Sequence, residues 1–485
     1  MFLLLFLSNF AARAQGLKIN DDAYRKIPIK KSYLTTTDSL PRSVDMSAYV
    51  PSVIDQGQLG TCVAVSSAYY ARTILEAIRL DITDKKKIDE LRFSPSYLYN
   101  AIKDSTDLSC MAGTEITAAL EFMKKTGVAA YSEQGYPFCG NNQALPPSPD
   151  SRILDYIKIF DLTERGDVVT AAKKALSEKT PILVGIQITP SFEELGGWQR
   201  FWRKLLVWLG FKSAEDYALW DPSKGDSDLK GGHAVCVVGY DDTKFEGAFK
   251  AVNSYGEDWG DQGFFWISYT DFVTYAKYGF QAYAQPANDT DRIQLSADVT
   301  INYPPYRADN LVSFEMGSEG NGMVAYSLSQ PQPSGTEYKF YADIIDQKGY
   351  LYLVAANDAK ATASVLFPTP GRSHQDSPFI GANTRLILPA EDIDSIYRLT
   401  NETGTEYWLF LFSENPVDIE SYVAKMNATQ GSFANRALEA FGTELIPYQR
   451  VSYKEKKIGF LLKGEHKGHI VPLLISLRHV PKRAG

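Results

Sequence analysis

The chain has 485 residues, 44% hydrophobic and 22% charged, the balance of an ordinary globular protein long enough for two or three domains. Its formal net charge of −8 argues against nucleic acid or an anionic membrane as an electrostatic partner. It carries no phosphate-binding glycine loop, no CxxC pair and no internal repeat.

Residues 1–14 hold a short apolar run ending in Ala12-Arg13-Ala14. The run is too short to cross a bilayer and its end fits a signal-peptidase site, although the usual basic flank is absent. The expectation is export to the periplasm, cell surface or medium, with no transmembrane span in the mature chain. Residues 15–40 are polar and mixed, and read as a linker or short pro-segment.

The stretch Asp55 to Ser67 places one cysteine, Cys62, after a glycine-rich approach and at the start of a predicted helix. Ala64, Ala68, Ala71, Leu75 and Ile78 form its apolar stripe, with Arg72, Glu76 and Arg79 off it. Gly57 and Gly60 suit a tight loop, and Thr61 is the N-cap candidate. A thiol at a helix start meets the positive end of the macrodipole, which favours thiolate. A lone cysteine there is more often a small buried hydrophobe; what lies downstream shifts the balance.

Phe93 to Asn100 reads as a second helix, followed by a turn at Cys110-Met-Ala-Gly113 and a helix from Ile116 to Lys125. Ser191 to Ser223 is an aromatic-rich insertion in which Leu195, Trp198, Trp202, Leu205 and Leu209 recur at helical spacing. It suits a packed helix, or a lid over a cleft. Three β-rich segments follow, beginning at His233, Ala248 and Trp259 and broken by Gly and Asp, the pattern of an antiparallel meander. His233 stands at the mouth of the first and Asn253 near the end of the second. A nucleophilic thiol needs a base to take its proton and a group to hold the imidazole in one tautomer. His233 is the only histidine before residue 374, so no other histidine in that part of the chain can serve.

These motifs together resemble the papain family of cysteine peptidases, in a form common in bacteria. Gln56-Gly57 and Gly60-Thr61-Cys62 are similar to the family's nucleophile loop, Gly232-His233-Ala234 to its histidine strand, and Asn253-Ser254-Tyr255-Gly256 with Trp259-Gly260 to its asparagine signature. The resemblance spans roughly residues 41–285 and implies an α+β, two-lobed peptidase, one lobe helical and one an antiparallel β lobe. It implies that Cys62 attacks a peptide carbonyl, His233 is the base, Asn253 orients it and Gln56 supplies an oxyanion donor, through an acyl-enzyme and with no cofactor or metal. Gly113 falls where the family lets a substrate backbone approach. The departures are Leu59 in place of a disulfide half, Val63 in place of the aromatic after the nucleophile, and Tyr255 in place of the tryptophan lid. The long helical prodomain of the family has no room before Pro41. With few apolar residues, residues 15–40 are expected to bury little surface across the cleft and to leave activity unrestrained. Two other readings stand beside the peptidase: an amidase acting on cell-wall peptides, and a non-catalytic binding protein on a decayed peptidase fold.

Of the remaining cysteines, Cys236 lies inside an apolar strand, while Cys110 and Cys139 are free to pair in an exported protein. A domain boundary falls near residues 286–296, and residues 297–485 form a β-rich accessory domain. It resembles a bacterial domain of unknown function appended to peptidases and kinases. With no cysteine after residue 290 it is expected to do no chemistry and to engage a protein or cell-envelope partner. His466 and His469, in a lysine-rich stretch, read as a solvated turn.

Overall fold

The computed structural model describes the chain from 16 to 482, apart from 31–39, 141–144, 146, 148–150, 164, 167, 196–208, 210–217, 225–227, 285–292, 307–311, 321, 346–347, 361, 371–375, 382–383, 391–394 and 465. The expected leader and most of the aromatic insertion lie outside the described residues. The chain divides into two units, Met1–Arg25 with Leu40–Ala287, and Lys26–Ser39 with Asn288–Gly485.

The first unit joins a helical part to an eight-stranded sheet. Strand Gly231–Asp241 lies at its centre, between Ile182–Ile188 and Ala248–Val252, both antiparallel to it. Phe264–Ser268 follows antiparallel on Ala248–Val252, completing the expected meander. These strands are buried almost throughout, so their apolar runs are continuous rather than alternating.

The helix that starts at Cys62 departs from the regular amphipathic form. It runs α over Cys62–Ala64, widens to a π-helix over Val65–Arg72, and returns to α over Thr73–Arg79. It is buried on all sides for most of its length, and the stripe of alanines is one part of that burial. Arg72 is inside as well. Its guanidinium donates to the Ser151 carbonyl at 2.8 Å, pairs with Glu76 at 2.8 Å and lies over the Phe93 ring. A charge that deep is tolerable because it is paired with a carboxylate and hydrogen-bonded. The helix is bolted to the sheet by polar side chains: Ser66 Oγ donates to Ala234 O at 2.8 Å and Tyr70 Oη to Asn253 O at 3.0 Å.

The second unit is a β-sandwich. A seven-stranded and a six-stranded sheet contribute alternate side chains to one core, among them Val299, Phe340, Leu353, Phe410, Leu473 and Phe460. Its first strand is Ile293–Asn302. Residues 26–30 also belong to this unit, with Ile29 bridging to Asp376. The expected solvated turn is partly buried: each histidine faces a carboxylate, His466 Nε2 to Glu414 at 3.6 Å and His469 Nδ1 to Glu444 at 3.0 Å, and the His466 side chain is 6% exposed. Among the described residues no helix is long and apolar enough to cross a membrane.

Candidate active site

Cys62, His233 and Asn253 converge where the buried helix meets the central strands, all fully buried. His233 Nε2 lies 2.7 Å from Asn253 Oδ1. The same oxygen accepts the Ser254 backbone N–H at 2.8 Å, which fixes the amide so that its oxygen faces the ring. Nε2 is therefore the protonated nitrogen of the neutral imidazole, and Nδ1 is left as the basic one. The backbone N–H groups of Ala234, the residue after the histidine, and of Gly16 act to lower the Cys62 thiol.

Burial pushes the Cys62 thiol up to about 11, and the backbone donors offset only part of that rise. The N–H groups of Cys62 and Val63 at the helix start do act to lower the thiol, as the sequence suggested, but the net shift is upward. Desolvation by burial outweighs those donors here. Thr61 likewise makes no side-chain cap. Its hydroxyl lies 2.7 Å from Tyr136 Oη instead.

Gln56, 1% exposed, is aimed by three contacts. Its backbone N–H donates to Ser254 O at 2.8 Å, its Nε2 donates to Leu59 O at 2.8 Å, and Ser254 Oγ donates to its Oε1. The amide carries a second Nε2 hydrogen besides the one given to Leu59 O. Gly60 lets this loop pass under the Cys110 loop: its N–H donates to Cys110 O at 2.8 Å, and a Cβ would stand 2.7 Å from Met111 O. Cys110 and Cys139 form a disulfide, with Cα atoms 5.9 Å apart, as the pairing hypothesis held.

An aromatic shell surrounds the imidazole. Tyr255 lies 5.0 Å from His233, ring to ring, and Phe192 5.6 Å. Phe192 also packs on Trp220, Trp259 and Phe265. Its place at the start of the insertion had marked it only as one aromatic among eight; its contact with the histidine has no signature in spacing.

The larger surprise is what fills the cleft. Gly16, Leu17 and Lys18 run parallel to the chain at Thr114: Thr114 N–H donates to Gly16 O at 2.8 Å and Lys18 N–H to Thr114 O at 2.9 Å. Gly113, with φ +76°, makes room, since a Cβ there would stand 2.4 Å from Gly16 O. Leu17, 7% exposed, enters a pocket at Gly185, Tyr278 and Ile116; a Cβ at Gly185 would meet its Cδ2 at 2.9 Å. The following helix, Asp21–Arg25, is tied down by Asp21 to Lys277 at 3.1 Å and to Tyr278 Oη at 2.5 Å. Tyr24, 1% exposed, donates to Phe160 O at 2.7 Å. The expectation that this segment buries little surface is overturned. Two apolar side chains suffice, because pockets lined by glycine receive them.

Residues 40–197 and 218–282 match the family model described as papain family cysteine protease, and the gap falls within the aromatic insertion. The chain is 27% identical over 245 residues to cathepsin B-like CP2 of Giardia intestinalis, covering 48% of this chain and 70% of that protein. It is 27% identical over 251 residues to cathepsin K of Mus musculus, covering 49% of this chain and 65% of the relative. Xylellain, a cysteine protease from Xylella fastidiosa, is a structural neighbour at 22% identity and a TM-score of 0.40, over 56% of this chain and 96% of that one.

Proposed function

We propose, from the premise that residues 40–282 of this chain belong to the papain family of cysteine proteases and form a cysteine-type peptidase, that Cys62, His233 and Asn253 carry its chemistry on peptide or protein substrates. The observation that carries this reading is the 2.7 Å contact of His233 Nε2 with Asn253 Oδ1, with Cys62 fully buried at the start of the helix packed on the same sheet. With Nε2 engaged, Nδ1 takes the Cys62 proton. The thiolate attacks the peptide carbonyl carbon and the C–S bond forms. The imidazolium then gives its proton to the leaving amine as the C–N bond breaks. Water, deprotonated by the same nitrogen, releases the acid and restores the thiol. Gln56 Nε2 and the Cys62 N–H face the oxyanion. His233→Ala is expected to abolish this activity, while Asn253→Ala slows it measurably, since Asn253 orients the base without reacting; a short fluorogenic peptide assay reads both. Full activity in His233→Ala would overturn the reading.

The enzyme is an exported endopeptidase in this account. The disulfide Cys110–Cys139 supports that location, because such bonds persist in oxidising compartments. The β-sandwich engages a protein or cell-envelope partner and takes no part in the chemistry.

The segment at Gly16–Arg25 acts as a strap that keeps substrate out. The Gly16 carbonyl is turned to Thr114, which holds the segment against the loop at Gly113. Burying a leucine side chain is worth about 1.5–3 kcal/mol, roughly a factor of ten or more in occupancy. Leu17→Asp removes that gain and sets a carboxylate in an apolar pocket. It is expected to raise kcat/KM on a short peptide at least tenfold. A change under twofold would mean that the strap yields to substrate unaided.

A further inference from the structure

We propose that Tyr136 is a positioning residue for the oxyanion loop, a role that rests on reading Gln56 and the Cys62 N–H as the oxyanion donors. One phenol oxygen joins both ends of the loop that carries them. Tyr136 Oη donates to the Gln56 carbonyl at 3.0 Å and lies 2.7 Å from Thr61 Oγ1. A phenol has a single proton, so with that proton on Gln56 O the Thr61 hydroxyl is the donor of the second bond. The residues so joined are Gln56, whose side chain is one oxyanion donor, and Thr61, the residue before the other.

Thr61 stands at the helix N-cap, where a threonine ordinarily bonds a backbone N–H of the first turn. It makes no such bond here and gives its hydroxyl to Tyr136. The helix thus forgoes a cap in favour of a link across the loop. Tyr136 is itself well held. Three residues on, Cys139 is bonded to Cys110, whose carbonyl receives the Gly60 N–H, and Phe138 N–H donates to Ser96 Oγ at 3.0 Å. The phenol is half-buried, and desolvation keeps it neutral well beyond ordinary assay pH. The loop is therefore fixed on one side by Ser254 and on the other by Tyr136. Loss of the second anchor leaves the donors present but misplaced. Since they act on charge that develops only in the transition state, the loss appears in kcat.

The test compares Tyr136→Phe, Thr61→Val and Thr61→Ser, each in the full chain carrying Leu17→Asp, which serves as the parent, with two readouts. One is kcat and KM on a short peptide; the other is the rate of Cys62 alkylation by iodoacetamide, a reaction that forms no oxyanion. Tyr136→Phe is expected to lower kcat about tenfold, with KM and alkylation within twofold. Thr61→Val should match it, and Thr61→Ser, which keeps the hydroxyl, should stay within twofold of the parent. In a Gln56→Ala background Tyr136→Phe should cost less than threefold. An unchanged kcat in Tyr136→Phe overturns the proposal, as does an equal fall in kcat and alkylation, the mark of general distortion. If Gln56→Ala lowers kcat and Tyr136→Phe does not, this proposal alone falls. If Gln56→Ala leaves kcat unchanged, the reading of the oxyanion donors falls and takes the proposal with it.

Discussion

Cys62→Ala is expected to reduce peptide hydrolysis to background, a loss of at least three orders of magnitude in kcat/KM. The reason lies in how little else in the site can attack a carbonyl. Besides Cys62 the free thiol in the described residues is Cys236, fully buried in the middle of the central strand, where desolvation pushes it well above the ordinary thiol range. A neutral thiol in an apolar strand cannot take over. Alanine at 62 keeps the backbone N–H and the helix, so binding should survive the loss of reaction. Residual turnover above one part in a hundred, measured with protein free of wild-type carry-over, would mean that another group is the nucleophile.

Gln56→Ala is expected to lower kcat by about 10²–10³, the usual loss when one oxyanion donor is removed. KM should move by less than threefold, since the planar carbonyl of bound substrate makes little use of a donor placed for the tetrahedral oxygen. The Gln56 side chain makes two of the bonds that hold the loop, to Leu59 O and from Ser254 Oγ, so alanine also loosens it. Gln56→Glu separates the two effects, keeping the shape while replacing the amide donor by a charge that repels the oxyanion. It should be at least as impaired as alanine. A rise in KM with kcat intact in both variants would place Gln56 in substrate binding instead.

The order of the candidate site residues was legible in the chain because its parts are punctuated locally. Gly57 with φ +60° and the close pass at Gly60 mark the loop before Cys62, and glycines and aspartates cut the meander that carries His233 and Asn253. Continuous apolar runs announced the buried sheet. What the sequence hid depends on contacts between distant residues. Leu17 is an ordinary leucine in a polar stretch; only the missing side chains at Gly185 and Gly232, far along the chain, make it a plug. Thr61 looks like a cap until Tyr136 is seen beside it. Arg72 falls off the helical stripe and would be placed in water, yet Ser151, Glu76 and Phe93 close around it. The thiol was expected low from the helix start alone, and desolvation by burial from every side outweighs the helix-start donors.

The central claim, that Cys62 is the nucleophile, is tested most directly by labelling the Leu17→Asp chain, whose cleft is expected to be open, with an epoxysuccinyl thiol-protease inhibitor and mapping the modified peptide. The account predicts one label per chain, on Cys62, formed in step with loss of peptidase activity and absent in a Leu17→Asp/His233→Ala chain. A label on Cys236, or full inactivation with Cys62 unmodified, would contradict it.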